Sequence, residues 1–313
     1  MPDYYTEIIH EGGVVAFPTE TVYGLGASAW NRDAIQKVFD TKGRPADNPL
    51  IVHVSGLDMV EDFALEIPTE AKLLIDHFWP GPLTLIFKKK PEVLDIITAG
   101  LDTVAIRMPR HPLALALIRQ AGPLVAPSAN TSGKPSPTKP EHVYEDFGYD
   151  FPVINGGFCD VGIESTVLDL SIRPFEIFRP GYVSRSAIEE ILKCEILPYR
   201  QHDSAEKPKS PGMKYTHYSP DADVRWLLPD ETISDPNTIY LLHSDFDDIK
   251  SHNNIINYFG DFDAMTRELY DRFRQADREH VTTIVIQPFD STATNELLIA
   301  LLNRISKAIG KIY

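Results

Sequence analysis

The stretch that decides the fold is FPTETVYGLGASAWNRDAIQKVFDTKGRPADNPLIVHV, residues 17–54. An apolar run leads into the hydroxyl-rich turn 18–21, and a glycine pair, a helical segment and a basic turn follow. The apolar segment 50–54 closes the unit and carries a histidine. Ligands of α/β sheets bind where strands end. This stretch therefore predicts an anion-binding site at the ends of two strands.

Length and composition limit the classes of protein to which the chain can belong. Its 313 residues exceed the roughly 250 at which single cores stop growing, so two domains are expected. Two cysteines are too few for a disulfide framework or a zinc knuckle, and a reducing, cytoplasmic location follows. Neither a long apolar run nor a signal peptide is present, so no membrane is expected. The net charge of −15 argues against a surface built for bulk nucleic-acid binding.

Apolar periodicity predicts strands that alternate with helices but also follow one another directly. We therefore predict an α/β fold of the α+β type, with a twisted mixed sheet and helices packed on it. Residues 1–198 form this first domain, and the polar segment 199–222 is a linker rich in Pro, Ser and Lys. Strand–helix alternation resumes over 223–313, which predicts a small, open, Rossmann-like α/β domain.

The sequence was compared with two glycine-containing nucleotide-binding motifs, the dinucleotide fingerprint and the P-loop. Gly24 and Gly26 nearly match the dinucleotide fingerprint, but the next strand ends at His53 without the acidic residue that the fingerprint needs. A tight turn explains these glycines better. A P-loop pattern is absent, and the scattered histidines lack metal-ligand spacing.

Cations stand at several predicted strand ends. Lys42 and Arg44 flank Gly43 in a turn. The turn is either an ordinary solvated turn or, together with Asn48 and His53 of the following segment, part of an anion-binding site. Arg107 lies on an otherwise apolar strand, where alternation places it on the face of Ala105. A buried charge must be paired or must bind a ligand, so a structural salt bridge and a ligand site both remain open.

The loop APSANTSGKPSPT, residues 126–138, is rich in Ser and Thr hydroxyl groups. Such loops present N–H groups and hydroxyls to phosphate oxygens. Ser128 is also a candidate nucleophile, but the elbow motif and a base that would activate it are missing. Ser165 opens a later strand and Arg179 ends the next, which extends the polar set.

Together these motifs resemble the YrdC-like threonylcarbamoyl-AMP synthases. The resemblance rests on FPTETVYGLG (17–26), KGRPADNPLIVH (42–53), WPGPLTLIF (79–87), TVAIRMPRHP (103–112), APSANTSGKPSPT (126–138), IESTV (163–167) and FRPG (178–181). The linker motif SPGMKYTHYSP (210–220), with Lys214 and His217, resembles the longer, two-domain type.

The resemblance implies the YrdC-like fold and the family's reaction. A nucleotidyltransferase of this family converts L-threonine, bicarbonate and ATP into threonylcarbamoyl-AMP and pyrophosphate. Mg²⁺ would be held mainly by the ATP phosphates, with no protein side chain as a ligand. A downstream threonylcarbamoyl transferase would use the product to modify the adenosine beside the anticodon of tRNA, so that tRNA is an indirect partner.

The same motifs imply roles for matching positions. The implied threonine site consists of Thr21, His53, Arg107, Ser165 and the backbone of Ala126. The implied ATP site consists of Arg44, Asn48, Thr103, Ser128, Ser136 and Arg179, with Tyr218 of the linker closing over it. The expected catalytic residues are the family's polar tetrad, Lys42, Arg44, Ser128 and Asn130.

Two other functions remain as alternatives. An RNA-binding module would use the basic concave sheet without turning over small molecules, and steeply salt-dependent RNA affinity would support it. An enzyme of carbamoyl transfer or hydrolysis would use the same pocket on carbamoyl phosphate. Dependence of pyrophosphate release on threonine and bicarbonate distinguishes the synthase from both.

Overall fold

The structure is a computed structural model that describes residues 2–200, 218–233, 235–244, 254–289 and 295–310. Internal contacts divide the chain into two compact units. The second unit contains the described residues from 218 onward together with Gly133–Pro135, and the first unit contains the rest. The proposed domain limits at 198 and 223 stay a prediction, because the linker residues 201–217, with Lys214 and His217, lie outside the described residues.

A mixed sheet forms the centre of the first unit. Its strands are β1 (Val15–Phe17), β2 (Gly24–Ser28), β3 (Ile51–His53), β4 (Leu83–Lys88), β5 (Thr103–Arg107), β6 (Leu124–Val125), β7 (Thr166–Asp169) and β8 (Glu176–Arg179). Their order in space is β1-β2-β6-β3-β5-β4-β7-β8. The pairs β3–β5 and β4–β7 are parallel, and all other pairs of adjacent strands in this order are antiparallel. The predicted mixed α/β fold is confirmed.

Helices surround this sheet. They are α1 (Pro2–His10), α2 (Arg32–Lys42), α3 (Leu57–Glu61), α4 (Thr69–Phe78), α5 (Asp95–Thr98), α6 (Pro112–Ala121), α7 (Pro140–Phe147) and α8 (Arg185–Leu192). The side chain of Asn31 caps α2 by accepting hydrogen bonds from the N–H groups of Asp33 and Ala34. Gly43 ends α2 at φ 59°, a left-handed conformation that favours glycine. The two caps place Lys42 in the last turn of α2.

The two faces of the sheet are packed differently. Val52 and Ile106 belong to the main core, which buries most of the apolar side chains of this unit. Ile51 and Ala105 instead join a small cluster with Ile86, Val167 and Phe178. Since side chains alternate along a strand, His53 shares the face of Ile51 and Arg107 that of Ala105. We call this second side, marked by Ile51 and Ala105, the site face.

The turn that was predicted at the glycine pair is wrong. Gly24 and Gly26 lie within strand β2, where they pair with Phe17 and Val15 of β1. The Phe17 ring occupies the space beside them, and a Cβ atom at Gly26 would lie 2.7 Å from Phe17 Cε1. The glycines are therefore explained by the close approach of an aromatic ring to a strand.

A parallel sheet forms the centre of the second unit. Its elements are β9 (Asp223–Trp226), β10 (Thr238–Leu242), β11 (Ile255–Asn257), α9 (Phe262–Arg278), β12 (Thr283–Ile286) and α10 (Leu297–Ile309). The strands lie in the order β11-β10-β12-β9. This confirms the predicted small α/β domain. Throughout the described ranges, every helix is too short or too polar to cross a lipid bilayer.

Candidate functional site

The turn between β1 and β2 is fixed by its own hydroxyl groups. Thr19 Oγ1 accepts hydrogen bonds from the N–H groups of Thr21 at 3.1 Å and Val22 at 3.2 Å. The same oxygen donates to the Val22 carbonyl at 2.6 Å and lies 2.8 Å from Thr21 Oγ1. Such side-chain bonds hold a turn in one conformation. The hydroxyl of Thr21 is therefore fixed in position inside the unit.

Strand pairing brings Arg107 next to His53 and Thr21. The parallel register of β3 and β5 pairs His53 with Arg107 at the carboxyl ends of both strands. Arg107 Nη1 donates to Thr21 Oγ1 at 2.9 Å, and its Nε donates to the Gly81 carbonyl at 3.2 Å. Three of the residues predicted to bind threonine thus meet at one point of the site face.

His53 is held as a neutral hydrogen-bond acceptor. Burial lowers its pKa to about 3, and the neighbouring Arg107 charge acts in the same direction. Its Nδ1 lies 3.2 Å from the Ile51 carbonyl, which can only accept, so Nδ1 carries the proton and donates. Ala126 N–H donates to the same carbonyl at 3.1 Å, which fixes this predicted residue beside the ring. Nε2 of His53 is left with a lone pair for an N–H or O–H donor.

Replacing His53 with glutamine is expected to flatten the pH dependence of stability. Between the usual histidine pKa of about 6.5 and the folded value of about 3, the unfolded chain binds one more proton at this position. His53 therefore lowers the free energy of unfolding as the pH falls through this window, by up to about 1.4 kcal/mol per pH unit, and has no such effect above it. Urea unfolding from about pH 5 to about pH 7.5 measures this slope.

His77→Gln, which changes an exposed histidine of α4, is the matched control and should keep the wild-type slope. If the slopes of His53→Gln and the wild type were parallel, the neutral state of His53 would be disproved.

Ser165 joins two parts of the site that were predicted separately. Its hydroxyl lies 2.7 Å from Thr84 Oγ1 and accepts a hydrogen bond from Arg179 Nη2 at 3.1 Å. Arg179 Nε also donates to the Ser165 carbonyl at 3.0 Å. The antiparallel pair β7–β8, with its register shift beside Val167, brings these residues together. One residue of the implied threonine site is thus bonded directly to one of the implied ATP site.

The buried ammonium of Lys42 ties the 126–138 loop to helix α2. Its Nζ donates to the carbonyls of Ser128 at 2.5 Å and Asn130 at 2.6 Å, and lies 3.5 Å from Asn130 Oδ1. The Lys42 carbonyl accepts from Ser132 N–H at 2.8 Å. Three members of the predicted tetrad are therefore in contact. The Lys42 ammonium therefore brings a buried positive charge to the end of α2 beside this loop.

Arg44 and Asn48 follow Lys42 in the chain. We call Lys42, Arg44, Asn48 and the 126–138 loop together the corner around Lys42. Arg44 Nη2 donates to the carbonyls of Asn48 at 3.4 Å and Pro49 at 3.0 Å, which folds the 44–49 segment around the guanidinium. Asn48 is 1% exposed, and among the described residues neither its Oδ1 nor its Nδ2 has a hydrogen-bond partner. Buried polar groups in native proteins are nearly always paired. The amide of Asn48 is therefore a position where a ligand would supply the missing partners.

Ser136 and Thr103 occupy different places in the first unit. The hydroxyl of Ser136 is buried and donates to Glu164 Oε1 at 2.6 Å. Thr103 begins β5 opposite Lys88 and shares the site face with Ala105 and Arg107, but lies at the other end of the strand. Ser136 is therefore bonded to Glu164, which directly precedes Ser165 in the chain, whereas Thr103 is separated from Arg107 by the length of β5.

Comparison with known proteins identifies the family. A family model described as telomere recombination, for the Sua5, YciO and YrdC proteins, matches residues 7–181. The chain belongs to the Sua5/YrdC family. A second model, described as the C-terminal domain of threonylcarbamoyl-AMP synthase, matches residues 183–310. The resemblance that the motifs indicated, to a two-domain member of this family, is confirmed.

Relatives of this Sua5/YrdC chain match it over nearly its whole length. The threonylcarbamoyl-AMP synthase of Bacillus subtilis is 42% identical over 97% of this chain and 91% of its own. That of Pyrococcus abyssi is 43% identical over 96% of this chain and 92% of its own. The crystal structure of P. abyssi Sua5 complexed with L-threonine superposes with a TM-score of 0.88 at 37% identity, covering 100% of this chain and 96% of that one.

Tyr218 lies in the second unit of this Sua5/YrdC chain. Its ring is buried, packs at 5.3 Å against the ring of Tyr270 and lies 5.5 Å from the guanidinium carbon of Arg304. Its φ is 71°, an unusual value for a residue with a side chain. The closure of Tyr218 over ATP stays a prediction.

Three polar residues that contact the predicted site residues were not themselves predicted from the sequence. Thr84 contacts Ser165, Glu164 accepts from Ser136, and Glu20 lies 2.9 Å from Arg107. All three lie inside the motifs of the Sua5/YrdC family, and each is buried. Glu20 directly precedes Thr21 and Glu164 directly precedes Ser165, and this adjacency to a predicted site residue was the signal that could have found them. Thr84 has no such neighbour in the sequence.

Proposed function

We infer that this chain synthesises threonylcarbamoyl-AMP, for the threonylcarbamoyl modification of tRNA adenosine next to the anticodon. Relatives that carry the name threonylcarbamoyl-AMP synthase match the chain at 42–44% identity. The observation that carries the inference is the group formed by Thr21, His53 and Arg107 on the site face, in a chain that superposes on a threonine-bound Sua5.

The site face suits an amino acid that brings a carboxylate, an amine and a hydroxyl. Arg107 supplies a fixed guanidinium for the carboxylate. The lone pair on His53 Nε2 accepts an N–H or O–H of the substrate, and because burial keeps the pKa of His53 low, its neutral ring does not repel the amine. Thr21 and Ser165 add hydroxyls that donate or accept. We therefore place L-threonine at these residues.

The corner around Lys42 suits ATP. Lys42 is a buried cation beside the loop that carries Ser128 and Asn130, and Arg44 follows it after one glycine. The amide of Asn48, which has no partner within the described ranges, lies in the segment that follows Arg44 and requires partners. Cations and fixed donors of this kind stabilise the charge that develops on phosphate oxygens during transfer. We place the triphosphate here and propose a nucleotidyltransferase that acts without a covalent intermediate on Ser128.

The donors around this corner are ammonium, guanidinium, amide and hydroxyl groups. Within the described ranges, no group of three His, Cys, Asp or Glu residues is placed to bind a metal ion. This donor set suits Mg²⁺ that arrives with ATP and is held by phosphate oxygens. When bound, Mg²⁺ would neutralise part of the triphosphate charge.

The reaction joins three reactants that carry negative charge. The amine of threonine forms a bond with the carbon of bicarbonate and water leaves; an oxygen of the resulting carbamate bonds to the α-phosphorus of ATP and pyrophosphate leaves. Holding the reactants in one site removes much of the entropic cost of bringing them together. Lys42, Arg44 and Arg107 offset their mutual repulsion.

Pyrophosphate release with one reactant omitted at a time tests this function. The wild-type chain with ATP and Mg²⁺ should release pyrophosphate only when threonine and bicarbonate are both present. Release that is indifferent to threonine would contradict the proposal. Release that required carbamoyl phosphate instead would support the carbamoyl-transfer alternative, and neither the charge of −15 nor the described site favours an RNA-binding module.

A further inference from the structure

Glu20 is a buried carboxylate in the turn between β1 and β2. It lies between Thr19 and Thr21, whose hydroxyls contact each other at 2.8 Å, and its side chain is 2% exposed. The backbone carbonyl of Glu20 accepts from Val161 N–H at 2.8 Å, so the main chain is fixed as well. An ionised carboxylate in such a place is costly unless it is paired.

Both oxygens of Glu20 have a fixed partner. Oε2 accepts a hydrogen bond from the backbone N–H of Arg110 at 3.0 Å. Oε1 lies 2.9 Å from Nη2 of Arg107, an ion pair in which the N–H is not aligned on the oxygen. Glu20 therefore links Arg107 at the end of β5 to Arg110 in the segment that follows the strand.

The Arg107 guanidinium is held from three directions. Its Nε donates to the Gly81 carbonyl, its Nη1 donates to Thr21 Oγ1, and its Nη2 contacts Glu20. The first two partners are neutral, and only Glu20 supplies a negative charge among these three. In the part of the chain that the structure describes, Nη2 has no aligned acceptor, so it keeps hydrogen-bonding capacity for a substrate carboxylate. Without Glu20 the guanidinium would lose both its counter-charge and one of its restraints.

We propose that Glu20 is a positioning residue for the threonine site: it orients the Arg107 guanidinium and balances its charge, so that Arg107 presents its remaining N–H to the carboxylate of threonine. The proposal rests on the proposed function, because it concerns the binding of threonine at Arg107. Glu20 acts through Arg107, since both of its oxygens are already committed to groups of the chain. The contacts of Glu20 are with Arg107, Arg110 and Val161, so we expect its replacement to affect the corner around Lys42 less than the threonine site.

The test compares the kinetic constants of Glu20→Gln with those of the wild type. Glutamine has one acceptor oxygen where two donors, Arg107 Nη2 and Arg110 N–H, must be satisfied. The KM for threonine should rise about tenfold or more, the KM for ATP should stay within about threefold, and kcat should change less than the KM for threonine. Glu20→Asp keeps the charge on a shorter chain and should recover part of the loss.

A matched control separates this role from a general loss of stability. Asp169→Asn neutralises another buried carboxylate, which accepts from Ser171 N–H at 2.8 Å at the far end of β7. It should lower the melting temperature without changing the KM for threonine. If Glu20→Gln does not fold, Glu20→Asp carries the test with the same split between the two KM values.

Equal increases in both KM values, or an unchanged KM for threonine in a folded Glu20 variant, would overturn the proposal while leaving the function intact. Failure of the wild-type chain to release pyrophosphate in response to threonine would instead overturn the function.

Discussion

Replacement of Lys42 by methionine is expected to reduce the threonine-dependent release of pyrophosphate at least about a hundredfold, as the loss of a group that stabilises developing charge does elsewhere. Methionine keeps the length and bulk of the side chain but removes its charge. The carbonyls of Ser128 and Asn130, which Lys42 Nζ contacts at 2.5 and 2.6 Å, lose their donor. The variant therefore loses both the cation proposed for the triphosphate and the tie that fixes the loop.

The structural part of this loss can be measured separately. Each carbonyl left without a partner costs about 1–3 kcal/mol, so the melting temperature of Lys42→Met should fall. Kinetics measured well below that temperature then report the functional part. Lys37→Met is the matched control, because Lys37 lies on the same helix and donates to the Gly12 carbonyl at 2.7 Å outside the site.

Lys37→Met should therefore retain wild-type synthesis. A folded Lys42→Met variant with kcat within about threefold of the wild type would show that Lys42 is a structural residue only.

Replacement of Asn48 by leucine is expected to weaken ATP binding about tenfold to a hundredfold without lowering the stability of the ligand-free chain. Both amide atoms of Asn48 are buried and have no partner among the described residues, so the substitution breaks no hydrogen bond of this side chain there. Removing an unsatisfied buried amide can stabilise a protein by about 1–3 kcal/mol. Hydrogen bonds to a charged ligand contribute about 1.5–3 kcal/mol, which sets the expected loss of affinity.

Calorimetric titration with ATP and Mg²⁺ measures the affinity, and urea unfolding without nucleotide measures the stability. Asn31→Leu is the control, because the Asn31 amide does have partners at the start of α2. It should lose about 1 kcal/mol of stability and keep its affinity for ATP. If Asn48→Leu lost stability and bound ATP like the wild type, the amide of Asn48 would be structural.

Much of the first unit could be predicted from local pattern. Alternation along 103–107 predicts Val104 and Ile106 on one face and Ala105 with Arg107 on the other, and the structure confirms that Ala105 packs in a different cluster from Val104 and Ile106. The N-cap role of Asn31 follows equally from local chemistry, because an amide before a helix accepts the first free N–H groups. The sequence also indicated that a buried Arg107 must either form a salt bridge or bind a ligand. The structure shows the salt bridge, with Glu20.

What could not be predicted depends on contacts between distant parts of the chain. The meeting of His53 with Arg107 requires the parallel pairing of β3 with β5, and strand register is not readable from one sequence. The sequence predicts a tight turn at Gly24 and Gly26 because glycine accommodates tight turns. Their place in β2 follows from the packing of Phe17, a tertiary contact.

Detection of the product itself is the sharpest test of the proposed function. The chain is incubated with ATP, Mg²⁺, L-threonine and ¹³C-labelled bicarbonate, and the nucleotide products are analysed by mass spectrometry. Threonylcarbamoyl-AMP that contains the labelled carbon should form together with pyrophosphate, and it should be absent when threonine is omitted. Hydrolysis of ATP without a labelled adenylate, under conditions in which the chain is folded and binds threonine, would contradict the proposed function.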